Sequence, residues 1–550
     1  MPCGIPRAGS VNYRTNPSPV YTHFAGVSML TRRTFLNTSA AALAGRLFAA
    51  PADAKKPNAD LEKLGAVALA QARKLHASYC DIRIIRTRQQ FLTIRLNPER
   101  GTGKTLEVPG VSHGGGFGFG VRVIVDGAWG FAASPLVKPD EIARITGEAV
   151  EVAKANASLK SKPVVLAPVA AYRDYWRTPH ERDPFAVPIQ EKLELIRSAA
   201  AEAKNSQQVF AASCLLAFRS EDKYFASSAG SSIQQLNLQT YGVVNATAVD
   251  VGKALTKTRR YQPTPVTAGY EFVPIMNLVE NARRVREEVI EHLKAPPVTP
   301  GKKDLVLLPS HLWLTIHESI GHSTELDRAL GYEANYAGTS FLTTDKLGKE
   351  RVGSEIINVT GDRTAERGLA TAGYDDDGVK TTRFPIIEKG IFTHYQTIRD
   401  QAALIGEKES RGCCYADSWS SVPFQRMPNV SLQAGKPDVT LENLIAGVED
   451  GILIDGDGSF SIDQQRYNFQ FGGDAFWEIK NGKKGSMISR VAYQARTTDF
   501  WQSCDAIAGP SYWQQFGAPN DGKGEPTQIN SVSHGCSPAR FRQINVIQTD

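Results

Sequence analysis

Residues 304–322 read Asp-Leu-Val-Leu-Leu-Pro-Ser-His-Leu-Trp-Leu-Thr-Ile-His-Glu-Ser-Ile-Gly-His. A short buried strand, Asp304 to Leu308, breaks at Pro309 and continues as an apolar helix, with Ser310 read as its N-cap. That helix carries His317, Glu318 and His322. Two imidazoles flanking a carboxylate are the parts of a hydrolytic zinc site. Histidine supplies neutral nitrogen ligands, and a glutamate beside the first can act as general base. The common zinc-helix spacing, H-E-x-x-H, places its histidines at i and i+4 on one face. Here the interval is five, which on a regular α-helix turns the two rings about 140° apart. One turn of i→i+5 bonding would return them to one side, and Gly321 would tolerate it. Spacing alone leaves two readings open: a metal site, or two unrelated helix histidines.

Downstream, the chain reads as strand and turn. Asp376-Asp377-Gly378, Glu388-Lys389-Gly390, Asp455-Gly456-Asp457-Gly458 and Lys480-Asn481-Gly482 are hairpin-type signals. The run Asp375-Asp376-Asp377 reads as a solvated turn rather than a cation site. Few helices and many hairpins predict a curled antiparallel sheet or partial barrel over residues 301–550, with the histidine helix packed on it. Pro296-Pro297 and Pro300-Gly301 mark its upstream boundary.

Upstream, residues 170–295 read as a central helix and strand unit. It runs from a helix at Pro188 to Lys204, through strands such as Ser231 to Ala248, to a helix from Pro274 to Leu293. Ile275, Leu278, Val279, Ala282, Val285 and Val289 stripe that last helix. Residues 60–160 read as an N-terminal α+β unit. It holds a helix from Asp60 to Leu75, alternating strands from Asp81 to Leu96, and a hairpin from Gly118 to Phe131 turning at Asp126-Gly127. Pro139 opens a further helix through Ala155. The Gly-rich run from Gly114 to Gly120 has no helix behind it to make a phosphate loop, and reads as a mobile strand edge. The fold class is α+β, with N-terminal antiparallel-sheet and helix units and a mostly antiparallel β C-terminal domain carrying the metal-site helix.

Residues 1–54 read as a disordered tail plus a twin-arginine signal peptide. Thr31-Arg32-Arg33-Thr34-Phe35-Leu36 precedes a small apolar stretch from Ala40 to Ala50, and Ala52-Asp53-Ala54 offers an A-x-A cleavage site. Met29 lies just upstream as a second candidate start. Such a leader predicts a periplasmic or exported mature chain. The apolar stretch is too short for a permanent span and is interrupted by Arg46, so no stable membrane anchor is expected. The whole chain has 63 basic and 57 acidic residues; the leader holds five arginines against one aspartate, leaving 58 against 56. So even a balance gives no electrostatic ground for nucleic-acid binding. Cys80, Cys214, Cys413, Cys414, Cys504 and Cys536 are too scattered for a disulfide framework, and adjacent Cys413-Cys414 would bridge only with strain.

The alternating N-terminal unit with Val-Ile-Val-Asp-Gly-Ala-Trp-Gly-Phe at 123–131, the central unit, Leu-Val-Leu-Leu-Pro-Ser and H-E-x-x-x-H together resemble the TldD/PmbA family of metallopeptidases, also described as modulators of DNA gyrase. Ile387-Glu388-Lys389-Gly390-Ile391, Arg426-Met427-Pro428-Asn429 and Phe471-Gly472-Gly473-Asp474-Ala475-Phe476 are similar to that family too. The likeness runs from about Leu61 to Ile547, and H-E-x-x-x-H places the chain beside the TldD-like branch. The resemblance implies a zinc-dependent peptidase acting on unfolded or flexible peptides. It also implies a dimer, either of like chains or with a PmbA-like subunit. On this chain it makes His317 and His322 ligands of Zn2+ and Glu318 the general base.

Two departures stand out. The family's third ligand is a cysteine in a Cys-Gly-Lys segment, and the matching segment here is Asp521-Gly522-Lys523. A carboxylate completes a His, His, Asp set but makes the site harder and less zinc-selective. Cys536 and Cys504 are rival donors. The second departure is the export signal, which the best-known members lack. The alternative function is a non-catalytic binding or scaffold subunit with a structural metal. A gyrase-directed regulator fits poorly with export and near-neutral charge.

Overall fold

The computed structural model describes residues 42–48, 54–99, 102, 104–160 and 162–549. The chain divides into two units, Met1–Arg46 and Leu47–Asp550. The first is described only over 42–46, where it is helical. Arg32-Arg33 and most of the A-x-A segment therefore lie outside the described residues.

The second unit begins with α1 (Ala59–Lys74). Asn58 starts it by accepting from the Asp60 amide, Asp60 and Glu62 occupy the first turn, and Arg73 and Lys74 the last. The strands that follow are β1 (Tyr79–Pro98), β2 (Thr105–Val125), β3 (Ala128–Ser134), β4 (Arg173–Arg177), β5 (Val209–Ser227), β6 (Ser232–Asp250) and β7 (Leu255–Tyr261). They make one seven-stranded sheet in the order β3-β2-β1-β5-β6-β4, with β7 also on β6. Asp126 and Gly127, both at positive φ, make the two-residue β2–β3 turn. Three further helices are α2 (Pro139–Ala157), α3 (Ile189–Lys204) and α4 (Leu278–Lys294).

Side chains alternate across a strand, and β1 uses this over its whole length. Its even positions face helices: Ile82 and Ile84 pack with Leu61 of α1 and Ile142 of α2, while Leu92, Ile94 and Leu96 pack with Ile196 of α3 and Val285 of α4. The fourth helix starts later than its stripe predicts. Pro274–Met276 is a 3-10 turn, and Ile275 and Val279 are exposed, leaving Leu278, Ala282, Val285 and Val289 as the buried face.

Two odd positions near the start of β1 are charged and yet buried. Asp81 and Arg83 are fully covered, because the segment around Asp375-Asp376-Asp377 lies on this face of the sheet. The solvated turn expected there is instead an ion-pair lock. Arg122 joins Asp81 and Asp377, each at 2.8 Å, and Lys223 reaches Asp376 at 2.8 Å, with Arg83 at 3.6 Å from the same carboxylate. Buried charges persist only when paired and hydrogen-bonded. Asp375 has no ion-pair partner among the described residues, and burial together with the Asp377 charge pushes it up to about 7.

The Gly-rich run is regular β2 strand, and its inner part has a packing role. A Cβ at Gly118 would lie 2.4 Å from the Trp419 indole, and the same side chain lies against Gly116, so the glycines form a seat for that ring.

The C-terminal half holds β8 (Gly301–Leu307), β9 (Val359–Asp362), β10 (Arg383–Glu388), β11 (Ile391–Phe392), β12 (Cys414–Tyr415), β13 (Phe424–Gln425) and β14 (Asn429–Leu432). Then follow β15 (Asp450–Ile462), β16 (Asn468–Lys480), β17 (Lys483–Ile488), β18 (Val491–Arg496), β19 (Cys504–Ile507), β20 (Gln514–Lys523), β21 (Gln528–Cys536) and β22 (Ala539–Gln548). Because β15 pairs with both β8 and β16, the ring β15-β8-β22-β18-β16 closes into a barrel, with β17 and β19 attached outside the ring. Asp455-Gly456-Asp457-Gly458 is no hairpin; it lies inside β15, where the register slips between Asp457 and Phe460. Lys480-Asn481-Gly482 does turn β16 into β17, and Glu388-Lys389-Gly390 turns β10 into β11. Stacked Phe469, Phe471, Tyr493, Phe500 and Phe541 fill the core beside Leu305 and Leu307. The six described cysteines are all buried and free. No described helix is long and apolar enough to cross a membrane.

Candidate metal centre

β8 feeds directly into α5 (Pro309–Ile316), with Pro309 in its first turn. Ser310 does not cap it. Its hydroxyl donates to Asp455 and accepts from the Gly456 amide at 3.0 Å, which ties the helix start to the β15 bulge. At His317 the helix changes pitch. His317–Gly321 is a π turn, and the N–H of His322 bonds the carbonyl of His317. That i→i+5 step brings the two imidazoles to one side, with ring centroids 4.5 Å apart. Gly321 is required by packing as well, since a Cβ there would lie 2.7 Å from Met427 Sδ.

The β20–β21 ribbon crosses the helix. Alternation points Asp521 and Lys523 inward from β20 and His534 inward from β21. Asp521 Oδ1 lies 3.6 Å from His317 Nε2 and 3.7 Å from His322 Nε2. The donor atoms of these three buried residues all lie within 4.8 Å of one another.

Surrounding groups fix which atoms are free. His534 Nδ1 donates to the Val430 carbonyl at 2.8 Å, so its Nε2 accepts from His317 Nδ1, also at 2.8 Å. Burial above all holds His534 well below the ordinary histidine range, in the neutral form this relay needs. His322 Nδ1 lies 2.9 Å from Glu325 Oε2, which as a carboxylate can only accept. In His317, Nδ1 therefore carries the hydrogen and Nε2 is left with a lone pair facing Asp521 Oδ1; in His322, Nδ1 lies between Glu325 and the donor Arg328 Nη2, 3.0 Å away, and Nε2 faces the same Asp521 oxygen. Asp521 Oδ2 is 3.3 Å from Arg426 Nη2, which orients the carboxylate. Burial would raise Asp521, but the two imidazoles and Arg426 outweigh it and hold it well below the usual carboxylate range. Burial likewise opposes ionised Glu325, and Lys523 and Arg328 overcome it.

These residues fit a metal ion. Two ligands about 2.1 Å from a tetrahedral ion are themselves about 3.4 Å apart. The 3.6 and 3.7 Å separations match that spacing and are long for direct hydrogen bonds. The rival donors are not in the group. Cys536 lies at the far end of β21, paired with Gln514, and Cys504 lies on β19. Burial raises both thiols well above their ordinary range. Glu318 meets Arg466, with Oε2 2.5 Å from Nη1. Two cavities, of about 360 and 260 Å³, lie near the ribbon, and none of the three donors lines either; the smaller ends at Trp313, whose indole is 6.2 Å from the His317 ring.

His534, Glu325, Arg328 and Arg466 are not singled out by sequence reasoning, and Lys523 and Arg426 enter it only as members of family-like segments. Two carried a usable signal: Glu325 follows His322 at helical spacing, and Lys523 shares the inward face of β20 with Asp521. The others are brought in by chain closure alone.

Residues 300–548 match the PmbA/TldA metallopeptidase C-terminal domain, and residues 106–157 match PmbA/TldA metallopeptidase domain 1. A metalloprotease of Methanocaldococcus jannaschii is 28% identical over 430 residues, covering 78% of this chain and 89% of that protein. The zinc metalloprotease TldD homolog of Saccharolobus solfataricus is 22% identical over 484 residues, covering 86% and 98%. Among solved structures, TldE from Thermococcus kodakarensis superposes with a TM-score of 0.67 at 18% identity, covering 88% of this chain and 99% of that one. A putative modulator of DNA gyrase from Thermotoga maritima gives 0.68 at 16%, covering 88% and 100%. At such identities the structural likeness is one of fold.

Proposed function

Because this chain carries TldD/PmbA-family metallopeptidase domains, we propose that it is a zinc-dependent peptidase acting on unfolded or flexible peptides. His317, His322 and Asp521 are the metal ligands in this reading, and Glu318 is the general base. The observation that carries it is the π turn, which turns two Nε2 atoms toward one carboxylate oxygen. Bound zinc supplies Lewis acidity for the scissile carbonyl and for the attacking water.

The chain's own residues supply the rest. Glu318 has Oε2 held by Arg466, which leaves Oε1 to accept the water's proton as the oxygen adds to the carbonyl carbon. The same oxygen returns that proton to the leaving amine as the C–N bond breaks. His534 keeps the His317 imidazole in the tautomer that leaves Nε2 free, and Glu325 and Arg328 hold the His322 ring at Nδ1 with Nε2 toward Asp521. Asp521 in place of a thiolate gives a harder donor set, which supports binding of metals besides zinc. An extended peptide would gain main-chain affinity by adding to an open strand edge. The TldE-like fold supports pairing with a like chain or a PmbA-like subunit, and the leader supports action after export.

The test is metal content and cleavage of an unstructured peptide by wild type, Glu318→Gln and His317→Ala. Glu318→Gln is expected to keep metal and fold while cleavage falls at least roughly 10²-fold, and His317→Ala to lose both. Full activity in Glu318→Gln would overturn the mechanism, and a metal-loaded wild type without hydrolysis would favour the scaffold reading.

A further inference from the structure

We propose that Arg466 is a positioning residue of this centre: Nη1 fixes the Glu318 carboxylate, and Nε is the donor that receives an oxygen of the bound peptide. The inference rests on the reading of Glu318 as the base.

Arg466 sits in the five-residue turn from β15 to β16 at φ +64°, a left-handed conformation that a non-glycine residue adopts only when its surroundings impose it. Those surroundings are specific. The Asp463 carboxylate accepts from the Tyr467 and Asn468 amides at 2.8 and 2.9 Å, and the Arg466 carbonyl accepts from Thr497 Oγ1 at 2.7 Å. The turn aims the guanidinium inward, where its side chain is 14% exposed.

Each nitrogen then has a distinct situation. Nη1 meets Glu318 Oε2 at 2.5 Å, and Nη2 donates to the Ala337 carbonyl at 3.1 Å. Nε is buried and has no hydrogen-bond partner among the described residues. The Ala337 carbonyl also accepts from Arg328, which pairs with Glu325, which in turn holds His322 Nδ1. One hydrogen-bonded path thus joins the base to the support of a metal ligand, and Arg466 is its only link to Glu318 among the described residues.

An unmet buried N–H is costly, and a peptide carbonyl oxygen beside Glu318 removes that cost on binding. Lysine could hold Glu318 as a point charge, but it lacks the planar fork that meets Glu318, Ala337 and a third oxygen together.

The experiment compares wild type, Arg466→Ala and Arg466→Lys in the full chain for metal content, thermal melting, kcat and KM on an unstructured peptide. It adds binding of that peptide to metal-free protein, and rescue by methylguanidinium. Metal content is expected to stay unchanged in both variants. Arg466→Ala should lose roughly 10²-fold in kcat and bind the peptide more weakly. Methylguanidinium should restore part of the activity of Arg466→Ala and none in Glu318→Gln. Arg466→Lys should keep the melting temperature without recovering kcat, which also covers a failure of Arg466→Ala to fold. Unchanged kcat and KM in Arg466→Lys, or loss of metal in either variant, would overturn the proposal. If wild type cleaves no peptide, the peptidase reading fails by itself. Peptide binding to metal-free protein then decides Arg466, and equal affinity of wild type and both variants would overturn it.

Discussion

His534 Nε2 lies 2.8 Å from His317 Nδ1, and the Val430 carbonyl, 2.8 Å from the other nitrogen of His534, sets the proton on both rings. A backbone oxygen on β14 thereby decides which nitrogen of a residue on the π turn is free to bind a metal. His534→Ala should weaken zinc binding about 10- to 100-fold, the range for losing such an outer partner. Chelator competition reads it directly, and an unchanged affinity would remove His534 from the site.

The donor set can be separated by substitution. Asp521→Ala should lower metal content, because it deletes the oxygen facing both Nε2 atoms. Cys536→Ala should leave metal content intact, since that thiol is buried among core residues at the far end of β21. Metal retention in Asp521→Ala would refute the ligand assignment while leaving Glu318 open.

The lock under the N-terminal sheet makes an acid-stability prediction. Burial raises Asp376, but Lys223 and Arg83 outweigh it, so its folded pKa lies below the ordinary value. A depressed carboxylate contributes stability that is present above its unfolded pKa, about 3.9, and is lost as pH falls through the folded one. Asp376→Asn should therefore destabilise the protein at neutral pH by about 3–5 kcal/mol, as expected when one partner of a buried pair is removed. It should also flatten the acid limb of the stability curve. Urea unfolding at pH 7 and at pH 3 measures both effects.

Gly118→Ala should cost about 1–3 kcal/mol, the range for overpacking, because its methyl would overlap the Trp419 ring. Trp419→Ala combined with Gly118→Ala should cost less than the sum of the two single changes. Additive losses in a double-mutant cycle would show that the glycines are not the seat of that ring.

Export is tested at the leader. Replacing both Arg32 and Arg33 by Lys should trap the uncleaved precursor in the cytoplasm, seen by fractionation and mass. Unchanged export would exclude the twin-arginine route.

Sequence periodicity determined much of this protein. Side-chain direction repeats every two residues in a strand and every 3.6 in a helix, so α1, α2, α3 and the Asp126-Gly127 hairpin could be read from their own residues. The five-residue interval from His317 to His322 likewise contained its π turn, because two rings at that spacing reach one side of a helix in few local geometries. Tertiary structure decided the rest. Ser310 has the composition of a cap, yet it bonds Asp455 because β15 runs beside β8. Asp375-Asp376-Asp377 has the composition of a surface turn, yet it is buried because Arg122 and Lys223 face it from strands far away in sequence. His317 and His534 are 217 positions apart, and Arg122 and Asp377 are 255 apart. No local pattern records such a pairing; it exists only after the barrel closes and the sheet's polar face is covered, when each buried charge must meet the partner that remains within reach.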